Sequence, residues 1–461
     1  MKRKHIQHLY WRIGFGILPA ELERLSKKSK RQIIDDLIGT SKKMSPLKID
    51  TKEIENLMVG TFEEVKKNIM EIQKLSRKKT IELNVAWIDR LAKPEALLRE
   101  KMTLFWANHF VCEDNNFVFT QQFHNTLRTH ALGNFKDFVV AISKEAAMTK
   151  YLNTKQNRKQ RPNENFAREL MELFTLGVGH YTEQDIKESA KAFTGYSHNM
   201  QGEFVFKKHQ HDEGTKTFFG KTGHFTGDDI IDIILKNKQC ARYICEKIYC
   251  YFVNDIVVES HVNGMVNVFY EDYNIEKLMR FMLLSNWFYD ENNIGTKIKS
   301  PIEFLVGLKT VVPVDFKKPK QLLYIQKLLG QVLLNPPNVA GWKGGKSWID
   351  SNTIVLRLKL PSILLNSAFI SKVEKGVSID AEFIANKKEV LRNGLGKRFK
   401  TESNWVYFNR MFKGVEISDL ENHLLLCDIN ESTSLYLNSL KKVSKREYCI
   451  QLMSLPEYQM C

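Results

Sequence analysis

The sequence predicts a mainly α-helical protein, a multi-helix globular bundle with a small β-hairpin excursion near residues 203–220. Three observations carry that reading. Apolar residues recur at helical intervals through most of the 461 residues, and strand-like runs are confined to one short region. A hydrophobic fraction of 43% is enough for a substantial core, yet no apolar run is long enough to span a bilayer.

Taken in order, the opening "MKRKHIQHLYWRIGFG" is basic but has no apolar stretch behind it. No secretion signal is expected, and the chain reads as soluble and cytoplasmic. Residues 26–80 are rich in Lys and Glu and poor in aromatics, the composition of a peripheral helical arm or insertion. A motif-bearing core spans 84–361. In "PEALLREKMTLFWANHFV", Pro94 takes the first helical position, and Leu97, Leu98, Met102, Phe105 and Phe110 follow at helical spacing. The same period runs through "NFKDFVVAISKEAAMTKYL", "DDIIDIILKNKQCARYICEKIYCYFV" and "IEKLMRFMLLSNWFYD". "GEFVF" and "GTKTFFG" predict one hairpin, with Gly214 between the two β-prone runs. Residues 362–461 break into short amphipathic pieces, a C-terminal helical elaboration. No repeat or long flexible linker divides the chain, so 1–461 reads as one unit.

The richest stretch is "NENFARELMELFTLGVGHYTEQDIKESAKAFTGY", residues 163–196. Pro162 and Asn163 start a helix whose apolar stripe is Phe166, Leu170, Leu173 and Phe174. Gly177 and Gly179 stop it, and Thr182 with Asp185 forms a capping box for the next helix, leaving His180 in the connection. Glu164, Asn165, Arg168, Glu169 and Glu172 share the opposite arc of ~140°. By spacing alone that arc reads first as a solvated face with Glu–Arg pairs at i, i+4, and second as a functional carboxylate cluster.

Composition excludes some classes and weakens others. The net charge of +16 invites a nucleic-acid reading, but the excess is diffuse lysine without an arginine-rich stripe. Seven cysteines form an odd set without an export signal, so reduced thiols are expected. Cys240, Cys245 and Cys250 stand five apart, and each step of ~140° around a helix makes them diverge instead of meeting on a metal. No Glu-x-x-His pair, nucleophile elbow or zinc-protease motif is present, so a metal is possible but not indicated by spacing, and no cofactor can be named.

The ordered motifs "RIGFG" (12–16), "KMTLFWANHF" (101–110), "LRTHALGNF" (127–135), "PNENFARELMELFTLGVGHYTEQD" (162–185), "HDEGTKTFFG" (211–220), "KIKSPIEFLVG" (297–307) and "LNPPNVAGWKGGKSWIDSNTIVLRL" (334–358) carry a resemblance. Over nearly its whole length the chain resembles the uncharacterised bacterial family catalogued as "domain of unknown function 1800". The resemblance implies no agreed activity. It implies a pathway shared with a phosphatase- or sulfatase-like protein often encoded beside family members, and an association with the cell envelope. Some relatives carry export signals, and none is expected here.

What the resemblance adds is weight on residues inside those motifs. The candidate acid–base residues are Glu164, Glu169, Glu172, His109 and His130. Candidate substrate-binding residues are Arg168, Asn165, His211, Asp212, Trp342, Trp348 and Arg357. The leading expectation is one polar pocket where the helix of Glu164–Glu172 packs against those of His109 and His130. There a glutamate acts as acid or base, a histidine shares its proton and Arg168 orients an anionic group, chemistry of the hydrolase type on a polar or anionic envelope-related substrate. The bland alternative for His109 is a core histidine satisfied by one hydrogen bond. His211 and Asp212 are expected to fix the following turn, and Lys216 with Gly220 and Gly223 does not have phosphate-loop spacing. Trp342 and Trp348 either stack on a sugar ring or peptide or fill core space under a Pro-Gly loop. A second reading is a non-catalytic interaction or maturation partner of the phosphatase-like protein, and nucleic-acid binding ranks third.

Overall fold

The computed structural model describes residues 1–366, 399–440 and 443–461. The expected C-terminal elaboration therefore lies partly outside the described residues. The fold is mainly α, and the described strands form only two-stranded antiparallel sheets. Among the described residues no helix is long and apolar enough to cross a membrane.

The first helices of the frame are α1 (Arg3–Arg12), α2 (Ile69–Ala92), α3 (Leu97–His109) and α4 (Phe117–His130). The hydrophobic core runs along α3, which packs on α4 and on the helix Lys30–Ser41. That last helix lies inside the Lys/Glu-rich span and buries Ile33, Ile34, Leu37 and Ile38, so this part of the span is docked against the core. Helix α3 starts at Leu97, not at Pro94. Lys93 leaves the helical region at φ −139° because proline pushes its predecessor towards extended backbone, and Ala96, at φ −130°, is also outside it. Glu95 instead pairs with Lys43 at 2.8 Å.

Next come α5 (Asn165–Glu169), a π-helical turn (Leu170–Thr175) and α6 (Glu183–Ala192). The predicted capping box is present, with Thr182 N donating to Asp185 at 2.9 Å and Asp185 N donating to Thr182 Oγ1 at 3.1 Å. Gly177 and Gly179 end the first helix at φ +86° and +84°.

The expected hairpin is two hairpins. Strand β1 (Tyr196–His198) pairs with β2 (Phe204–Phe206), and β3 (Lys216–Phe218) with β4 (Lys221–Gly223). "GEFVF" thus finds its partner upstream, because Asn199 Oδ1 gathers the amides of Gln201 and Glu203 into a tight turn. "TKTFFG" turns on Phe219 and Gly220, both at positive φ, the two-residue geometry that matches strand twist. Gly214 is not the hinge; its amide donates to Asp212 Oδ1 at 2.8 Å.

Three later helices complete the frame: α7 (Lys238–Phe252), α8 (Glu259–Asp272) and α9 (Pro301–Val311). Helix α7 lies against α8 and against the π turn, and α9 lies against α2. The loop 334–350 is tied to α3 by one side chain. Asn108 accepts from Trp342 N at 2.8 Å and donates to Trp342 O at 3.1 Å, while Gly341, at φ +74°, lets the backbone come that close. Replacing Asn108→Ala leaves both groups of Trp342 without that partner and is expected to cost roughly 1–3 kcal/mol. Urea denaturation checks this, with a red shift of tryptophan emission as the loop loosens.

Burial also sets an acid limit. His124 lies 5.2 Å from Trp87 ring to ring, and burial, then the charge of Arg128, lower its pKa to about 3. The unfolded chain takes up this proton first, so stability is intact above pH ~6.5 and is lost as pH falls towards 3. His124→Phe removes this loss. Its stability relative to the parent is expected to improve by about 2 kcal/mol between pH 7 and pH 5. Parallel pH dependences in urea denaturation would contradict the assignment.

Candidate functional site

The last carbonyls of a helix have no amides above them. At the end of the π turn three side chains from other helices take that role. Tyr243 OH donates to Leu173 O at 3.0 Å and Lys247 Nζ donates to the same oxygen at 3.2 Å. His109 Nε2 lies 3.0 Å from Phe174 O. A carbonyl can only accept, so Nε2 carries the proton and Nδ1 keeps its lone pair. That lone pair faces Lys247 Nζ at 3.5 Å.

Both groups are poorly solvated. Burial, then the charge of Lys247, hold His109 well below the usual histidine range, so its ring is neutral. Burial lowers Lys247 to about 8. Its ammonium also sits 4.7 Å from the Tyr243 ring centroid, and it forms no ion pair among the described residues. Lys247 is where α7 meets open space.

That space is a cleft of about 580 Å³ between α3, α7, the start of α9 and the loop 340–348. Trp342 and Trp348 form one wall, and Lys297 and Lys346 add cations. The two carboxylates that line it are already engaged. Asp255 is paired with Lys297. Glu303 accepts from Ser300 N at 2.7 Å with one oxygen and from Lys101 at 2.5 Å with the other. Burial pushes the Glu303 carboxyl up, but Lys101 and the Ser300 hydrogen bonds outweigh it and hold it down at about 2. Cys250 also lines the cleft, and burial pushes its thiol up, away from the reactive thiolate.

Of the residues singled out by sequence, His109, Trp342 and Trp348 meet in this cleft. Glu164, Asn165, Arg168, Glu169 and Glu172 do not line it. Their helix does pack on His109, but through the carbonyl and ring of Phe174. Arg168 pairs with Glu164 at 3.3 Å and with Glu183 of α6 at 2.9 Å, and Glu172 accepts from Tyr181 OH at 2.5 Å. Asn165 is exposed. Glu169 is half-buried, and burial, then the charge of Glu172, raise its pKa. His130 stacks on Phe138 at 5.5 Å. His211 is buried with Nδ1 2.9 Å from Thr194 O, and Asp212 and Gly214 give their carbonyls to the buried Lys216 at 2.6 and 2.9 Å. These last contacts knit the loop between β2 and β3. Arg357 is fully buried behind the cleft, donating to Lys299 O at 3.0 Å and Gln459 at 3.2 Å.

Sequence reasoning passed over Lys247, Asn108, Lys297 and Glu303. A signal existed for Lys247. It continues the row Cys240, Ile244, Tyr251 of α7, a charge set into a stripe that is otherwise apolar or aromatic. Among the described residues no group of three or more His, Cys, Asp or Glu side chains is placed to hold a metal ion.

Neither a curated protein nor a solved structure matches the chain. A family model described as "Protein of unknown function (DUF1800)" matches residues 8–460, so every residue of the cleft lies inside it. The chain therefore belongs to the DUF1800 family of proteins of unknown function.

Proposed function

We propose that the protein is an enzyme whose cleft binds a small anion carrying a ring, and that Lys247 and His109 exchange a proton with it. The observation that carries this reading is the Lys247 ammonium, without a carboxylate partner among the described residues, 3.5 Å from the His109 lone pair at a cleft with two tryptophans. An anion fits because the lining carboxylates are neutralised by Lys297 and Lys101, leaving Lys247 and Lys346 uncompensated. Indole faces suit a sugar or other flat ring. A carboxylated or phosphorylated sugar, the kind of unit from which cell envelopes are built, combines both features. An amine pushed down to about 8 beside a neutral imidazole is suited to acid–base work near neutral pH.

In this reading the Glu164–Glu172 face with Arg168 is a structural ion network that ties α5 to α6. Nothing among the described residues favours a phosphatase- or sulfatase-like partner, or a nucleic acid, as the occupant.

Tryptophan emission of the whole chain reports on the cleft. Titration with methyl glucuronide or inorganic phosphate is expected to give a saturable change, and the neutral methyl glucoside none. Lys247→Met is expected to weaken the anion by about tenfold or more, the worth of one charged hydrogen bond. Trp342→Phe should remove much of the signal. Equal affinity in the parent and Lys247→Met, or no saturable response to any anion, would remove the proposal.

A further inference from the structure

We propose that Lys247 forms an imine with its ligand, so that the anion taken by the cleft carries a ketone or aldehyde carbon within reach of Nζ. The inference rests on the cleft reading above and deepens it. Three geometric facts point to covalent use of this amine. The other lysines that touch the cleft region are spent or exposed. Lys297 holds Asp255, Lys101 holds Glu303, and Lys346 lies in the open loop. Lys247 alone combines burial, access to the cleft and no counter-ion among the described residues.

Its base is also in place. The groups facing Nζ are His109 from α3, the main-chain oxygen of Leu173 from the π turn, and Tyr243 from its own helix. Cys250, Tyr251 and Asp255 follow along the near wall, with Lys297, Glu303 and Lys346 across the cleft. His109 is the one of these with a free lone pair aimed at the amine, because its other nitrogen is fixed on Phe174 O. Burial keeps a useful part of the amine neutral at pH 7.

The step balances without an oxidant or reductant. The neutral amine of Lys247 adds its lone pair to the carbonyl carbon, and the proton it sheds passes to His109 Nδ1. That proton then returns to the oxygen to give a neutral carbinolamine, the remaining N–H proton follows the same route through His109 Nδ1 to the hydroxyl, the C–O bond breaks, water leaves and C=N remains. An imine beside a carboxylate withdraws electrons from the neighbouring carbon and loosens its proton. The cations at the rim hold the anionic end of the same molecule.

Glyoxylate is the probe, an aldehyde with its own carboxylate. The whole chain is treated with glyoxylate and cyanoborohydride, and the lysines carrying the trapped adduct are read by peptide mass spectrometry. Lys247 is expected to be labelled at least about tenfold faster than the exposed lysines at pH 7. Because the exposed lysines become neutral only near pH 10.5, the ratio of Lys247 to exposed labelling is expected to fall by about seventyfold between pH 7 and pH 10. Methyl glucuronide should protect Lys247 and no surface lysine. Labelling spread over lysines by exposure alone, or a ratio indifferent to pH, would overturn the imine. If methyl glucuronide still changes tryptophan emission in that case, the cleft reading survives and only its covalent step falls. If neither probe is taken, both fall.

Discussion

The end of the helix that runs into the π turn sets the conditions for everything around it. Six residues, Leu170–Thr175, adopt the wider turn, and the carbonyls of Leu173 and Phe174 face outward at its close. A buried carbonyl without a donor costs on the order of 1–3 kcal/mol, so the interior must supply donors. It does so with Tyr243 and Lys247 from α7 and His109 from α3. These bonds lock three helices together. The same bonds decide the tautomer of His109 and the position of the Lys247 amine, so fold and site share one set of contacts.

Charge balance is the basis of the anion preference proposed for the cleft. A lone carboxylate on its wall would have neutralised Lys247, but Glu303 is used twice, as the capping-box partner of Ser300 and as the counter-ion of Lys101. Behind the same wall lie further cations that form no ion pair among the described residues. Lys299 is held between Trp11 and Tyr458, its ammonium 3.5 and 3.8 Å from the ring centroids, and burial lowers it to about 7. Arg357 is also buried there, with burial lowering it to about 10. Ring faces offset part of the desolvation of such cations without cancelling their field.

The helical period made most of the fold legible, and local chemistry made the Thr182–Asp185 cap and the stops at Gly177 and Gly179 legible with it. Three things were not. Apolar residues at 166, 170, 173 and 174 satisfy an α turn and a wider turn equally, so spacing could not show the π turn. Strand partners depend on turns, and Asn199 and the Phe219–Gly220 pair outweighed Gly214. The site itself is long-range. Arg168 looks paired with its own helix at i, i+4, yet its nearer partner is Glu183, reached only when the hairpin closes. His109 and the two tryptophans were visible because histidine and tryptophan stand out anywhere. Lys247 was marked only as a charge set into the apolar stripe of α7, a signal that counts for little in a lysine-rich chain until its surroundings are seen.

Lys247 and His109 also depend on each other. The charge on Lys247 is one reason the His109 ring stays neutral, second only to burial. When the amine gives up its proton that repulsion ends, and the imidazole becomes a better base at the moment a proton needs a place to rest. The pair therefore holds one proton comfortably and two poorly. A site with that property stores a proton on the amine when empty, and passes it across 3.5 Å when the amine is drawn into bonding. Neither residue has this behaviour alone, and neither is placed for it except by the carbonyls at the end of the π turn.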